Sequence, residues 1–214
     1  MSRPPFAVAS LDELERFEGE FTTVPVRIPL GISAFGVNAY EAAEAGGRVI
    51  EEHDELGSGA GHHEELYVVL RGHARFTVAG EVVAAPAGTF VFVQDPAARR
   101  GAEAVEPGTT VLVVGATRGE VFEPSPWESW LEALPSYTAG DYEETVEIMR
   151  RGLERHPDNP NVLYNLACCE ALAGRLDDAL AHLARAAELD PRVVDWARDD
   201  SDLAAVREDD RFPS

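Results

Sequence analysis

The feature that most constrains this chain is a period of 34 residues in its last third. Gly140 and Gly174 are 34 apart, and so are Pro157 and Pro191, Tyr142 and Leu176, and Met149 and Leu183. The run Gly140-Asp-Tyr-Glu-Glu-Thr-Val parallels Gly174-Arg-Leu-Asp-Asp-Ala-Leu. A repeat of that length is one helical hairpin, which cannot bury its apolar face alone and must stack on a neighbour. Ser125-Pro126-Trp127-Glu128 reads as the start of the region, with an N-cap Ser, a Pro at the first helical position and an acid in the first turn. Pro135 is expected to interrupt the helix that follows, and a third unit beginning at Arg192 ends early.

Upstream the texture is that of strands. Glu65–Leu70, Ala74–Val78, Thr89–Val93 and Thr109–Val114 are rich in β-branched and aromatic residues, with Gly, Pro and Asp between them. Many short strands at such spacing build a sandwich or barrel. Ala79-Gly80-Glu81 and Pro86-Ala87-Gly88 are turn signals, and alternation puts Ala74, Phe76 and Val78 on the inner face. Before the first strand, Ser10 and Glu13 match a capping box, and Leu11, Leu14 and Phe17 predict a short helix. The expected organisation is an arm with a short helix over 1–23, a β domain over 24–118, a linker over 119–124 and a helical domain over 125–214.

Charge narrows the partners. The chain has 39 acidic residues against 18 basic ones, a formal net of −21. Nucleic acid and anionic membrane surfaces are repelled by that balance, and no apolar run is long enough to span a bilayer. Every basic residue is Arg, which removes Schiff-base and P-loop lysine chemistry. With abundant Ala, Gly and Val, the all-Arg usage reads as the codon bias of a GC-rich bacterial genome. The opening residues lack the apolar core of a secretory signal. Cys168 and Cys169 are adjacent, so they form neither an ordinary disulfide nor a zinc site. A cytoplasmic location is expected, with both thiols as small core residues. No G-x-S-x-G, C-x-x-C, Walker or dinucleotide fingerprint occurs.

The repeat segment resembles the tetratricopeptide-repeat family. Leu163, Ala167, Gly174, Ala179, Leu183, Ala186 and Pro191 stand at that family's packing positions. The resemblance implies a module that docks a protein or peptide in the groove between first helices. Asn161, Asn165 and Glu170, on the first helix of the second unit, are the candidates to line it.

His63-Glu-Glu-Leu-Tyr-Val-Val-Leu-Arg-Gly72 resembles the first cupin motif through Glu65 and Gly72, and Ala87-Gly-Thr-Phe-Val-Phe-Val93 resembles the start of the second. Together these cover about residues 30–116. They imply a multidomain β + α protein: a cupin-like antiparallel jelly-roll barrel followed by tetratricopeptide-like helices. They also imply a homodimer, since cupins commonly pair through their sheets. The family's metal chemistry does not carry over. In metal-binding cupins a His pair falls six and four positions before the Glu, where this chain has Gly59 and Gly61, and Arg99 stands near the third His position. Arginine is permanently cationic and is no metal ligand. Only Glu65 remains of the four family ligands, and one carboxylate holds a transition metal poorly.

No cofactor is therefore expected. If a divalent metal binds, the set would be His53, His63 and Glu65. His63, Glu65 and Tyr67 share one strand face, and the resemblance implies that Arg99 converges on Glu65. The two would form an ion pair, or Arg99 or Arg100 would bind the carboxylate or phosphate of a small molecule. Gly57–Gly61 reads as a loop at the barrel mouth, suited to a lid. Three functions remain open. The first is a non-catalytic protein, with a barrel for scaffolding, dimerisation or small-ligand sensing and repeats for protein interaction. The second is a metal-dependent dioxygenase or isomerase with a rearranged His/Glu site. The third is a purely structural protein.

Overall fold

A computed structural model describes residues 6–213, which divide into two compact units with the boundary between Pro124 and Ser125. In the first unit the strands are β1 (Thr22–Pro25), β2 (Gly36–Ala42), β3 (Arg48–His53), β4 (Glu64–Arg71), β5 (His73–Val78), β6 (Glu81–Pro86), β7 (Phe90–Val93), β8 (Arg100–Ala104) and β9 (Thr109–Ala116). A single turn of helix, α1 (Arg27–Leu30), follows β1. The strands form two antiparallel sheets, of order β1-β2-β9-β4-β7 and β3-β8-β5-β6. From β3 onward the chain passes back and forth between them, the double-sheet jelly roll to which cupins belong. The expected cupin-like antiparallel jelly roll is thus built as two sheets, and among the described residues no strand pairs across from one sheet to the other.

Alternation builds the core. Tyr67, Val69, Val93 and Val111 from one sheet meet Val49, Ala74, Phe76, Ala85 and Ala102 from the other. Ala79 and Gly80 both take positive φ, 50° and 84°, as the two-residue I′ turn between β5 and β6 requires. The helix expected around Leu11–Phe17 does not form. Ser10 closes only one turn, through its carbonyl to the amides of Glu13 and Leu14. Phe17 then exchanges backbone hydrogen bonds with Thr23 at 2.9 Å, which demands extended backbone there. Tertiary pairing has overridden a local helix signal.

The second unit holds α2 (Pro126–Thr138), α3 (Tyr142–Arg155), α4 (Pro160–Leu172), α5 (Leu176–Leu189) and α6 (Arg192–Asp199), then a 3-10 turn over Ser201–Leu203. Gly140 and Gly174 have φ of 76° and 77° and end equivalent helices, so the sequence period is also a conformational one. Asp141 and Asn159 cap α3 and α4 with their side chains, whereas the expected Ser125 cap makes no side-chain bond. Pro135 sits inside α2 without breaking it. It lies in the last turn, where little helix remains to be distorted, and α2 ends at Thr138. Cys168 and Cys169 are buried as free thiols. No helix among the described residues is long and apolar enough to cross a membrane.

Candidate functional site

The candidate site lies on the inner face of β4. His63, Glu65 and Tyr67 alternate onto that face and are all buried. Glu65 is flanked in register by Val93 on β7 and Gly115 on β9. A Cβ at Gly115 would stand 3.3 Å from His63 Cβ and 3.4 Å from Glu65 Cγ, so a side chain there would crowd both.

From the facing sheet, Arg100 closes on Glu65. Its Nε and Nη2 donate to the same oxygen, Glu65 Oε2, at 3.0 and 2.8 Å. Nη1 donates to the carbonyls of Pro96 at 3.1 Å and Ala98 at 2.9 Å, and Nε also reaches Tyr67 Oη at 3.3 Å. The Tyr67 hydroxyl donates to Glu65 Oε2 as well. Arg100 is 0% exposed. A buried charge is tolerated only when paired and hydrogen-bonded, and this guanidinium has both forms of support.

The residue expected to fill this role, Arg99, does not. It precedes β8, its side chain is 60% exposed, and its Nε pairs with Glu52 at 3.0 Å. Arg100, Ala102 and Ala104 are the inward set of that strand. A shift of one residue exchanges the two faces, so an error of one position in reading the turn exchanges a buried pair for a surface one.

His53, at the end of β3, is paired in register with Arg100. Its Nε2 lies 3.6 Å from Glu65 Oε2 and 3.8 Å from Glu55 Oε1. Glu55 was not foreseen. It is buried, and its Oε2 accepts from the backbone amides of Gly61 at 3.0 Å and His63 at 3.3 Å. Its position in a charged, Gly-rich loop gave no signal of burial. His63 itself leans away from this cluster in its contacts: its ring stacks 5.4 Å from that of Phe122, and its Nε2 has no partner among the described residues.

Electrostatics follow from these contacts. Burial pushes the Glu65 carboxyl up, but the His53 and Tyr67 hydrogen bonds and the Arg100 charge outweigh it and hold the group below the usual range. Burial opposes protonation of His53, yet the Glu65 carboxylate and the Glu51 carbonyl leave its pKa raised. Burial and the adjacent carboxylate push the Tyr67 phenol well up.

One set of donors has metal-like proximity. His53, Glu55 and Glu65 each offer an atom, all within 4.8 Å of one another. Glu55 thus stands where His63 was expected. The fit to a divalent ion is poor, because Glu65 Oε2 already takes three hydrogen bonds and a buried guanidinium lies 2.8 Å away. A second cation there would face repulsion from Arg100, offset only in part by the Glu55 carboxylate.

In the helical unit the three groove candidates part company. Asn161 and Asn165 are half-buried on one side of α4. Glu170 is 0% exposed, with its carboxylate on Arg150 Nη2 at 3.0 Å and His182 Nδ1 at 2.7 Å. Five residues on from Asn165 is about 140° around a helix, so Glu170 faces the interior between α3 and α5 and is unavailable to a peptide.

Residues 136–207 match the family model for the tetratricopeptide repeat. No curated protein matches the chain. Among solved structures, it is similar to a cupin protein from Bacteroides fragilis, with 19% identity over 56% of this chain and 92% of that one, at a TM-score of 0.43. An RmlC-like cupin from Shewanella frigidimarina shares 16% identity over 55% of this chain and 95% of its own, at a TM-score of 0.41. A sugar phosphate isomerase of the cupin superfamily from Silicibacter pomeroyi shares 19% over 52% and 76%, at 0.42.

Proposed function

We propose that this is a non-catalytic two-part protein, in which a metal-free jelly roll serves as scaffold and self-association unit and the helical repeats dock a protein partner. The observation that carries the reading is Arg100. Its guanidinium donates twice to Oε2 of the one carboxylate that remains of the family's ligand set, so a fixed cation already stands beside the group that would hold a metal. The outer face of β4, β7 and β9 supports self-association. Phe90 and Phe92 alternate outward at 68% and 53% exposure beside Leu66, Val68 and Leu70. An antiparallel sheet usually turns polar residues to water on such a face, and an apolar patch of this kind marks an interface. Free, buried thiols at Cys168 and Cys169 suit a reducing, cytoplasmic setting.

The proximity of His53, Glu55 and Glu65 favours a second reading, a metal-dependent cupin oxygenase or isomerase. Metal content decides between them, measured by plasma mass spectrometry on untagged protein grown with iron, manganese, nickel and zinc. The expected result is metal far below one per chain. Near-stoichiometric metal that disappears in Glu65→Ala would establish the second reading. Self-association is checked by light scattering: Phe90→Glu with Phe92→Glu should convert a dimer to a monomer, and a wild-type monomer rules the interface out.

A further inference from the structure

The docking face of the helical unit is not bare. Tyr164, Cys168, Asn161 and Asn165 lie within about 100° of one another around α4, which is the face where a peptide was expected. The chain's own residues 200–206 occupy it. Asp200 Oδ2 accepts from the Tyr164 hydroxyl at 2.6 Å and lies 3.7 Å from Cys168 Sγ. Asp202 Oδ2 accepts from the Tyr137 hydroxyl of α2 at 2.8 Å. The segment therefore bridges the first helices of both hairpins. Leu203 and Val206 enter the apolar cluster of Leu163, Ala167, Ala171 and Leu183.

The way it is held is that of a bound ligand. The amides of Leu203, Ala204 and Val206 donate to carbonyls three positions earlier within the segment, and those of Asp209 and Phe212 continue the pattern beyond it. Asp200 caps the turn itself, through Oδ1 to the Asp202 amide at 3.0 Å. Among the described residues, none of these amides donates to a carbonyl of α2, α3, α4 or α5. The turn docks through two carboxylates and two aliphatic side chains, beside Val193 and Ala197 of α6 in the same cluster. The host supplies neutral donors, two phenols and a thiol, matched to acids two residues apart. The burial of both groups and the nearby carboxylates push the Tyr164 and Tyr137 phenols up, which keeps them as donors.

We infer that residues 200–206 are a built-in ligand, and that the partner of this face is a peptide of the same chemistry, Asp-x-Asp-Leu with a second aliphatic residue three positions on, which must displace the segment to bind. The inference rests on the docking role proposed above and adds its partner class and its regulation.

The test uses the full chain and a fluorescent peptide spanning residues 198–213. Asp200→Asn with Asp202→Asn removes both carboxylates from the latch while conserving size. Compared with wild type, the double variant should show faster amide exchange at Leu203 and Val206. It should also bind the peptide roughly a hundredfold tighter, the worth of two charge-assisted hydrogen bonds. Adding Tyr137→Phe and Tyr164→Phe should abolish that gain without unfolding the unit by circular dichroism. Unchanged exchange together with equal peptide binding overturns the latch. Faster exchange with no binding at all shows that the opened face accepts no such peptide, and it counts against the docking role itself.

Discussion

Each half of the molecule has a buried glutamate that is answered in nearly the same way, with an arginine and a histidine. In the jelly roll, Glu65 meets Arg100 and His53. In the helical unit, Glu170 meets Arg150 and His182. The difference is in the cation. Arg100 is sealed at 0% exposure, whereas Arg150 is 37% exposed and also pairs with Asp178. The first pair has no water to fall back on. The second is open at one end. A buried acid is therefore a rigid commitment where strands from distant parts of the chain converge, and a tolerant one where adjacent helices leave a side chain at the surface.

The sharpest way to break this comparison is to remove one partner from each pair. Arg100→Ala should destabilise by about 3–5 kcal/mol, because it strands Glu65 in the interior. Glu170→Ala should cost about 1–3 kcal/mol, since Arg150 keeps Asp178 and solvent. Arg99→Ala is the control and should stay within about 0.5 kcal/mol, as an exposed substitution does. All three tryptophans, Trp127, Trp130 and Trp196, belong to the helical unit. Their fluorescence in urea reports that unit alone, while circular dichroism reports both. Equal losses for Arg100→Ala and Glu170→Ala would remove the distinction drawn here.

Apart from the Arg99→Ala control, the smallest expected effect concerns pH. His53 has a folded pKa above its ordinary 6.5. Its contribution is thus complete below that value and is lost as pH rises through the folded one. The thermal midpoint should decline slightly above pH 6.5 by an amount worth less than about 1 kcal/mol. His53→Asn should flatten that decline. Glu65 works in the opposite sense: its lowered pKa gives stability above the ordinary 4.5 that is lost as pH falls through the folded value. A midpoint that rises between pH 6 and 8 would contradict the assignment for His53.

How far the sequence carried these conclusions differs between the halves for a physical reason. The hairpins were legible because their signals are local: a 34-residue period, a proline after the cap, glycines at the turns. The strands β4, β5, β7 and β9 were legible by alternation to within two residues at their ends. Partnership inside the sandwich was not. Whether Arg99 or Arg100 enters the core depends on where β8 begins, and no nearby residue announces that. Glu55 hides in a stretch that reads as solvated loop. Glu170 was assigned to the groove although its spacing from Asn165 places it on another face of α4, and that signal was available. The role of residues 200–206 could not be seen, because nothing in Asp-Ser-Asp-Leu tells which tyrosines it will find.

Glu55 also changes what the Gly57–Gly61 loop can do. One of its oxygens holds the amides of Gly61 and His63, and the other faces His53. Lifting the loop would exchange two amide bonds to a carboxylate for bonds to water, at about 1.5–3 kcal/mol each. Despite its glycines, the segment is anchored at its Gly61 end by a carboxylate from the strand end that precedes it.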